Sequence, residues 1–94
     1  MIKSFRNRQT AAVYLGERPK GLPPDILKSA FRKLVQLDAA TQIDDLRAPP
    51  GNRLEQLKGD RAGQWSIRIN GQWRICFNWI DSNAENVEIV DYHR

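Results

Sequence analysis

Hydrophobic and polar residues follow a helical period in the first half of the chain and a period of two in the second half. After Pro23 and Pro24, apolar residues recur three and four positions apart as far as Leu37. This spacing predicts an amphipathic helix, and prolines are common where a helix begins. The predicted apolar face consists of Ile26, Leu27, Ala30, Phe31, Leu34, Val35 and Leu37.

The other face of this helix is basic. It carries Lys28, Arg32, Lys33 and Gln36. Such a stripe is typical of a solvated helix face, and contact with RNA is the alternative interpretation.

Shorter elements are predicted on either side of this helix. Residues 2–5 are a candidate first strand, and residues 10–15 are a candidate short helix that Gly16 ends. Residues 41–53 contain two adjacent acids and a Pro-Pro-Gly-Asn run, which are typical of a loop.

From Leu54 onward the period of two predicts a run of strands. The candidate strands span residues 54–57, 65–69, 73–79 and 86–92, and the intervening turns lie at 58–63, 70–71 and 81–83. One strand, two helices and then several strands along the chain indicate an α+β domain. We expect a small, antiparallel-dominated sheet with the two N-terminal helices packed on one face.

The register of the central hairpin decides which charged residues share a face. A strict two-residue loop would turn the apolar faces of its two strands in opposite directions, which a half-buried sheet does not tolerate. A three-residue loop or a bulge places Ile67 opposite Ile75. Arg68 then lies opposite Arg74, and both guanidinium groups occupy the face away from the helices.

The last strand adds further groups to that face. Alternation directs Val87 and Ile89 toward the core, so that Glu88, Val90 and Tyr92 point to the side of the arginines. Two interpretations of this face stay open. The arginines bind an anion, or they are solvated residues that Glu88 neutralises.

Composition limits the class of protein. The chain has 94 residues, for which we expect a single domain over residues 1–94. Its net charge is +4, which favours an anionic partner. Residues 1–50 carry nine basic against five acidic residues, whereas residues 51–94 carry six of each. A nucleic-acid site in the second half therefore depends on the sorting of basic residues onto one face.

The scarcity of cysteine and histidine excludes several kinds of site. Cys76 is the only cysteine, so an internal disulfide is impossible, and one histidine with one cysteine cannot complete a closed zinc site. Neither Ser66 nor Cys76 has the elbow motif or the neighbouring histidine of a hydrolase nucleophile. The chain also lacks an apolar stretch long enough to cross a bilayer. We expect a cytoplasmic protein with no membrane association, no metal and no cofactor.

The C-terminal tetrapeptide offers acid–base chemistry. Asp91-Tyr92-His93-Arg94 places the only histidine beside a carboxylate, a phenol and a guanidinium. Terminal residues are often frayed and functionally silent. Held against lysine and arginine, however, these groups suit metal-independent RNA cleavage, in which the ribose 2′-hydroxyl attacks the adjacent phosphorus. That reaction needs a base, an acid for the departing 5′-oxygen and fixed cations for the phosphate.

Several runs of the sequence resemble the HigB toxins of the RelE superfamily. They are PPGNRLEQLKGDR at 49–61, WSIRIN at 65–70, QWRICF at 72–77 and VEIVDYH at 87–93. The opening MIKSF also matches, and residues 9–21 are the weakest part of the resemblance. The resemblance implies a RelE-like fold and a ribosome-dependent endoribonuclease that cuts messenger RNA in the decoding site of the bacterial 70S ribosome. It also implies a helix-turn-helix antitoxin of the HigA type as the partner that silences it.

The resemblance also implies a set of site residues. The family's functional positions fall on Lys58, Arg74, Asp91, Tyr92 and His93, and the superfamily's basic strand position falls on Arg68. Some members have a histidine three residues before the lysine, where this chain has Glu55, so the proton acceptor stays open. Arg53 and Arg61 are auxiliary candidates.

Each of these residues receives a role by hypothesis. Arg74 and Arg68 hold the scissile phosphate, with Lys58 as a further cation. His93 donates the proton to the leaving oxygen, because an unperturbed histidine titrates near neutrality.

The rest of the tail has supporting roles in this hypothesis. Tyr92 stacks on a base or orients it, and Asp91 holds His93 or Arg74 in place. The rival hypotheses are a non-catalytic RNA- or ribosome-binding module and a protein-interaction module.

Overall fold

The computed structural model describes residues 1–92, and within that range it contains two α-helices followed by four β-strands. The helices are α1, Arg8–Tyr14, and α2, Pro24–Ala39. The strands are β1, Glu55–Gln56; β2, Gln64–Arg68; β3, Trp73–Ile80; and β4, Asn83–Asp91. They form one antiparallel sheet in the order β1-β2-β3-β4, which confirms the predicted α+β architecture.

The predicted first strand is reduced to two isolated parallel bridges with β4. Ile2 pairs with Ala84, and Phe5 pairs with Val87. The amide of Ile2 also donates to Asp38 of α2 at 2.7 Å, and this hydrogen bond lowers the pKa of the Asp38 carboxyl. The N-terminal segment therefore ties the outer edge of the sheet to α2.

Helix α1 begins two residues before the predicted start. The reason is a side-chain cap, since the Oδ1 atom of Asn7 accepts from the amide of Thr10 at 2.9 Å. The helix ends at Tyr14, one residue before the predicted end, with Leu15 as its C-cap. Gly16 follows Leu15 with a positive φ of 83°, a conformation that favours glycine after a helix.

Helix α2 begins at a proline, as predicted, but only part of its predicted apolar face is buried. Five of the predicted positions are buried: Ile26, Leu27, Ala30, Leu34 and Leu37. Phe31 and Val35 were predicted on the same face and are instead exposed, by 38% and 45%. At 100° per residue, these two positions lie roughly 90° or more from the centre of the buried stripe.

Residues 41–53 were predicted as a loop and contain two short 3₁₀ helices, Ile43–Arg47 and Pro50–Asn52. The Asp45 carboxylate accepts from the amides of Thr41 and Gln42 at 2.9 and 3.1 Å, which holds the first turn. Leu46 is fully buried and anchors this segment to the core.

The central hairpin has the predicted register. Ile67 pairs with Ile75, and Arg68 pairs with Arg74. The loop fits this register because the Oδ1 atom of Asn70 accepts from two amides on the far side of the turn, both at 2.8 Å.

Strand β4 begins at Asn83, three residues before the predicted start, because a bulge breaks its alternation. Cys76 pairs with Glu88 whereas Asn78 pairs with Glu85, so one residue of β3 faces two residues of β4. Asn86, at the bulge, has a left-handed φ of 54°.

The core lies between the helices and one face of the sheet. Its largest fully buried apolar side chains are Phe77, Leu34, Leu37, Leu46, Ile67, Ile75, Val13 and Val87. The amide of Ile89 in β4 donates to Thr10 of α1 at 3.0 Å, so a buried hydroxyl joins helix to sheet. Both helices of the described range are too short or too polar to cross a bilayer.

Candidate functional site

Strand register brings three of the predicted site residues, Glu55, Arg68 and Arg74, to the face of the sheet away from the helices. This surface, which we call the site face, consists of three rows across the strands: Arg68, Arg74 and Val90; Glu55, Ser66, Cys76 and Glu88; and Gln64, Asn78 and Glu85. Ser66 of β2 and Cys76 of β3 thus lie at its centre.

Arg74 is held in place by neutral oxygen atoms. Its Nε donates to the hydroxyl of Ser66 at 2.8 Å, and its Nη2 donates to the carbonyl of Arg53 at 2.7 Å. The Ser66 carbonyl accepts a third, longer bond at 3.4 Å. Ser66 is fully buried, so its hydroxyl is fixed, and within residues 1–92 no carboxylate forms an ion pair with Arg74 that would balance its charge.

Tyr92 lies against this guanidinium. The Cζ atom of Arg74 is 5.5 Å from the centre of the Tyr92 ring, within cation–π range. The amide of Tyr92 donates to the carbonyl of Gln72 at 2.6 Å, which fastens the end of the chain to the β2–β3 turn. An aromatic ring and a fixed cation therefore stand side by side at one end of the site face.

A shallow depression of about 300 Å³ opens beside this pair. It is lined by Glu55, Gln56, Leu57, Lys58 and Tyr92. Lys58 is exposed and immediately precedes the short 3₁₀ helix Gly59–Arg61. A carboxylate, an ammonium and a phenol thus share one hollow that is open to solvent.

Asp91 and Arg68 both lie at the β2–β3 turn. The Asp91 carboxylate accepts from Nε2 of Gln72 at 3.2 Å, which stabilises the turn, and the predicted contact of Asp91 with His93 lies outside the described residues. Arg68 pairs with Arg74 in the backbone, but its side chain extends toward the turn. Its Nη2 lies 3.7 Å from the position that a Cβ on Gly71 would occupy.

The other end of the site face carries an ion-pair cluster. Arg61 contacts the Glu88 carboxylate at 3.3 Å and the Gln64 side-chain oxygen at 3.0 Å. Arg6 approaches the same Glu88 oxygen at 3.7 Å. Glu88 thus pairs with Arg61 and Arg6, and the alternative in which it neutralises Arg68 and Arg74 is wrong.

Cys76 lies buried between the two ends of the site face. Desolvation by burial raises the pKa of its thiol, an effect that the nearby Arg61 opposes and Glu88 reinforces. The thiol therefore stays protonated near neutral pH, which suits a packing role and not that of a nucleophile.

Sequence reasoning missed a buried amide behind Arg74. Asn52 is fully buried, and its Nδ2 donates to the carbonyls of Leu46 and Ala48 at 3.1 and 3.2 Å. Its Oδ1 accepts from Lys33, whose ammonium has its pKa lowered by desolvation. The Pro-Pro-Gly-Asn run marked a turn here, but not this contact with α2.

His93, the predicted proton donor, lies outside the described residues. Within residues 1–92, no three side chains of the types that ligate metals are grouped closely enough to hold an ion. The chemistry that this part of the molecule offers is that of fixed cations, one aromatic ring and one exposed carboxylate.

Comparison with known proteins agrees with the family resemblance found in the sequence. The family model of the HigB-like toxin, described as the RelE-like toxin of the type II toxin–antitoxin system HigB, matches residues 3–93. The chain is 41% identical over 95 residues to Toxin HigB-1 of Vibrio cholerae, covering 100% of this chain and 99% of that protein. It is 34% identical over 93 residues to Endoribonuclease HigB of Proteus vulgaris, covering 99% and 100% respectively.

Solved structures agree in fold. The chain superimposes on a chain of the YoeB–YefM complex from Staphylococcus aureus with a TM-score of 0.62 and 18% identity, covering 100% of this chain and 99% of that chain. A heterotetrameric YoeB–YefM toxin–antitoxin complex from the same organism matches equally well. At this level of identity the similarity concerns the fold.

Proposed function

Because the chain belongs to the HigB-like toxins, the RelE-like toxins of type II toxin–antitoxin systems, we propose that it inhibits translation by cutting messenger RNA on the ribosome. The chain is accordingly the toxin component of such a pair and an endoribonuclease. Its partner is an antitoxin, which we propose to be a helix-turn-helix protein of the HigA type. The proposed site of action is the bacterial cytoplasm, where translating 70S ribosomes are found.

The immobilised guanidinium of Arg74 is the observation that supports this proposal most directly. In RNA cleavage by the 2′-hydroxyl, negative charge accumulates on the phosphate as the new P–O bond forms and the bond to the 5′-oxygen breaks. Arg74 is held by a hydroxyl and a carbonyl, so it is already oriented before the phosphate arrives. Preorganised charge of this kind stabilises a transition state without reorganisation.

The other groups take roles that follow from their positions. Lys58 supplies a second positive charge at the depression next to Tyr92, and the Tyr92 ring offers a surface on which a base stacks. Glu55 lines the same depression and is our candidate acceptor for the 2′-hydroxyl proton.

The acid and the remaining cations complete the proposed site. His93 donates the proton to the departing 5′-oxygen, an assignment that rests on the sequence. Arg68 approaches the RNA from the turn side of the sheet, whereas Arg53 and Arg61, the auxiliary candidates, are expected to contribute little to cleavage. Asp91 fixes the turn that anchors Tyr92, through Gln72.

The ribosome is proposed to supply what the toxin lacks. The described part of the depression is open to solvent, which favours a second surface that aligns the flexible RNA for attack on phosphorus. We therefore expect the purified toxin to cut messenger RNA on translating ribosomes and to leave the same naked RNA nearly intact. Equal rates on both substrates would contradict ribosome dependence.

The chemistry of the product separates this proposal from its rivals. Cleavage by the 2′-hydroxyl leaves a 2′,3′-cyclic phosphate on the upstream fragment, which mapping of RNA ends after toxin induction detects. A His93→Ala variant is the matched control. Growth inhibition without new RNA ends would identify a non-catalytic ribosome binder instead.

A further inference from the structure

We infer that Asn52 is a positioning residue, which fixes the carbonyl of Arg53 and thereby orients the guanidinium of Arg74. The inference deepens the proposed function and rests on it, because Arg74 matters for activity only if the site face binds a phosphate. It assigns a role in that site to a side chain that lies beneath the surface and touches no substrate.

Asn52 is bonded by both ends of its amide. Its Nδ2 donates to the carbonyls of Leu46 and Ala48 and, at 3.1 Å, to the side-chain oxygen of Gln36. Its Oδ1 accepts from the ammonium of Lys33. Because α2 supplies Gln36 and Lys33, the amide is anchored to the most deeply packed helix of the fold. A fully buried amide with this many partners has one orientation.

The next residue transmits this order to the site. Arg53 has a left-handed backbone with φ 44° and ψ 56°, and its amide donates to the carbonyl of Pro50 at 3.1 Å. The backbone on the N-terminal side of the Arg53 carbonyl is thus constrained before Leu54 leads into β1. The carbonyl then lies 2.7 Å from Nη2 of Arg74.

The physical reason for such a chain of contacts is entropy. An arginine side chain at a surface has many rotamers, and fixing it costs free energy that the site must supply. Ser66 fixes one edge of the Arg74 guanidinium from the neighbouring strand, and the Arg53 carbonyl fixes the other. Without the Asn52 side chain, the segment before β1 loses the hydrogen bonds that tie the residue preceding this carbonyl to α2 and to the backbone at Leu46 and Ala48.

The test uses the intact toxin with Asn52→Ala and two readouts. The first is NMR of the arginine side chains in the free protein, in which Nη2 of Arg74 is bonded. We expect separate, slowly exchanging Nη signals in the parent and averaged signals in the variant. The second is single-turnover cleavage on programmed ribosomes, where we expect a loss of about tenfold.

A double-mutant cycle distinguishes positioning from general destabilisation. If Asn52 acts through Arg74, Asn52→Ala has no further effect on cleavage in an Arg74→Ala background. If the double variant instead shows the product of the two single-variant losses of cleavage, the inference is overturned. An unchanged Arg74 spectrum in the Asn52 variant would also overturn it. The NMR spectrum of Arg74 does not depend on catalysis. If Arg74→Ala kept full activity, the proposed function would be contradicted, and the positioning role of Asn52 would still be judged by the NMR spectrum.

The matched control is Thr10→Val. Thr10 is also a buried polar residue that joins a helix to backbone, but its partners are Asn7 and Ile89 on the helix side of the sheet. The Thr10→Val substitution should lower the melting temperature without changing the Arg74 signals or the rate of cleavage by the folded protein.

A second variant covers the case in which Asn52→Ala does not fold. Lys33→Met keeps the aliphatic stem of the side chain and removes only the ammonium that donates to Asn52. We expect a smaller loss of cleavage in the same direction, again absent in the Arg74→Ala background. A folded Lys33→Met toxin with parental cleavage and an unchanged Arg74 spectrum would overturn the inference.

Discussion

The two ends of the site face hold their arginines in opposite ways. Arg74 donates to a hydroxyl and two carbonyls, whereas Arg61 contacts the carboxylate of Glu88 at 3.3 Å. Neutral acceptors orient a guanidinium and leave its charge unbalanced, while a carboxylate orients it and cancels the charge. Proximity of arginine to a sheet face is therefore a poor guide to phosphate binding, and the chemistry of its acceptors is a better one.

The largest effect is expected at the end with neutral acceptors. Arg74→Ala should lower single-turnover cleavage on ribosomes by about 100- to 1000-fold, the usual cost of one preorganised donor in an active site. The melting temperature should change little, since the side chain is partly exposed. Arg74→Lys is the matched control, because it keeps the charge and loses the planar fork that Ser66 and Arg53 hold. If a folded Arg74→Ala toxin cleaved at the parental rate, the contrast between the two ends of the site face would be wrong.

The aromatic neighbour of Arg74 should have a smaller effect. Tyr92→Ala removes the ring 5.5 Å from the guanidinium and one wall of the depression. We expect cleavage to fall about tenfold, which corresponds to roughly 1.4 kcal/mol and to the loss of one stacking contact. The measurement is single-turnover cleavage at saturating toxin.

Trp73 is the control for Tyr92, as an aromatic residue at the same end of the sheet. It packs against the core on the helix side, so Trp73→Ala should cost about 3 kcal/mol of unfolding free energy. Cleavage by the folded fraction should be preserved. A Tyr92→Ala toxin that unfolds, or one that cleaves at the parental rate, would show that the two aromatic residues have been assigned to the wrong roles.

The end with the ion pair should respond mainly in stability. Arg61→Ala removes a partly exposed partner of Glu88, for which about 0.2 to 1 kcal/mol of unfolding free energy is expected. Because Glu88 already balances the Arg61 charge, cleavage should fall by less than about threefold. Urea denaturation and ribosome cleavage measure the two effects. A loss of cleavage as large as that of Arg74→Ala would mean that RNA displaces Glu88 from Arg61, and the contrast between the two ends would be wrong.

Alternation in the sequence was sufficient to predict that Arg68, Arg74, Glu88 and Val90 share the site face. The pairing of Arg68 with Arg74 followed from the need to keep Ile67 and Ile75 on one side, because a slip of one residue would have buried the arginines. The acceptors of Arg74 could not be predicted in this way. A serine in a strand and a backbone carbonyl in a loop have no distinctive pattern until the chain is folded.

The remaining errors also have physical causes. Phe31 and Val35 continue the helical period of α2, and only the position of the sheet decides that they are exposed. The bulge at Asn86 interrupts alternation, so the predicted start of β4 is three residues too late. Asn52 was read as part of a turn because its long-range partner Lys33 lies on another element.

The smallest effect is expected at Arg53, where backbone and side chain have separate functions. Its carbonyl orients Arg74, but its own side chain is exposed, and its φ of 44° lies in the left-handed region that glycine adopts without strain. Arg53→Gly therefore keeps the carbonyl in place, and we expect cleavage within about twofold of the parent and separate Nη signals for Arg74. Arg53→Pro is the contrasting variant, because proline cannot adopt a positive φ and removes the amide that donates to Pro50. If Arg53→Gly loses as much cleavage as Arg74→Ala while the Arg74 spectrum is unchanged, the Arg53 guanidinium itself binds RNA and adds to the charge available for phosphate at this end of the site face.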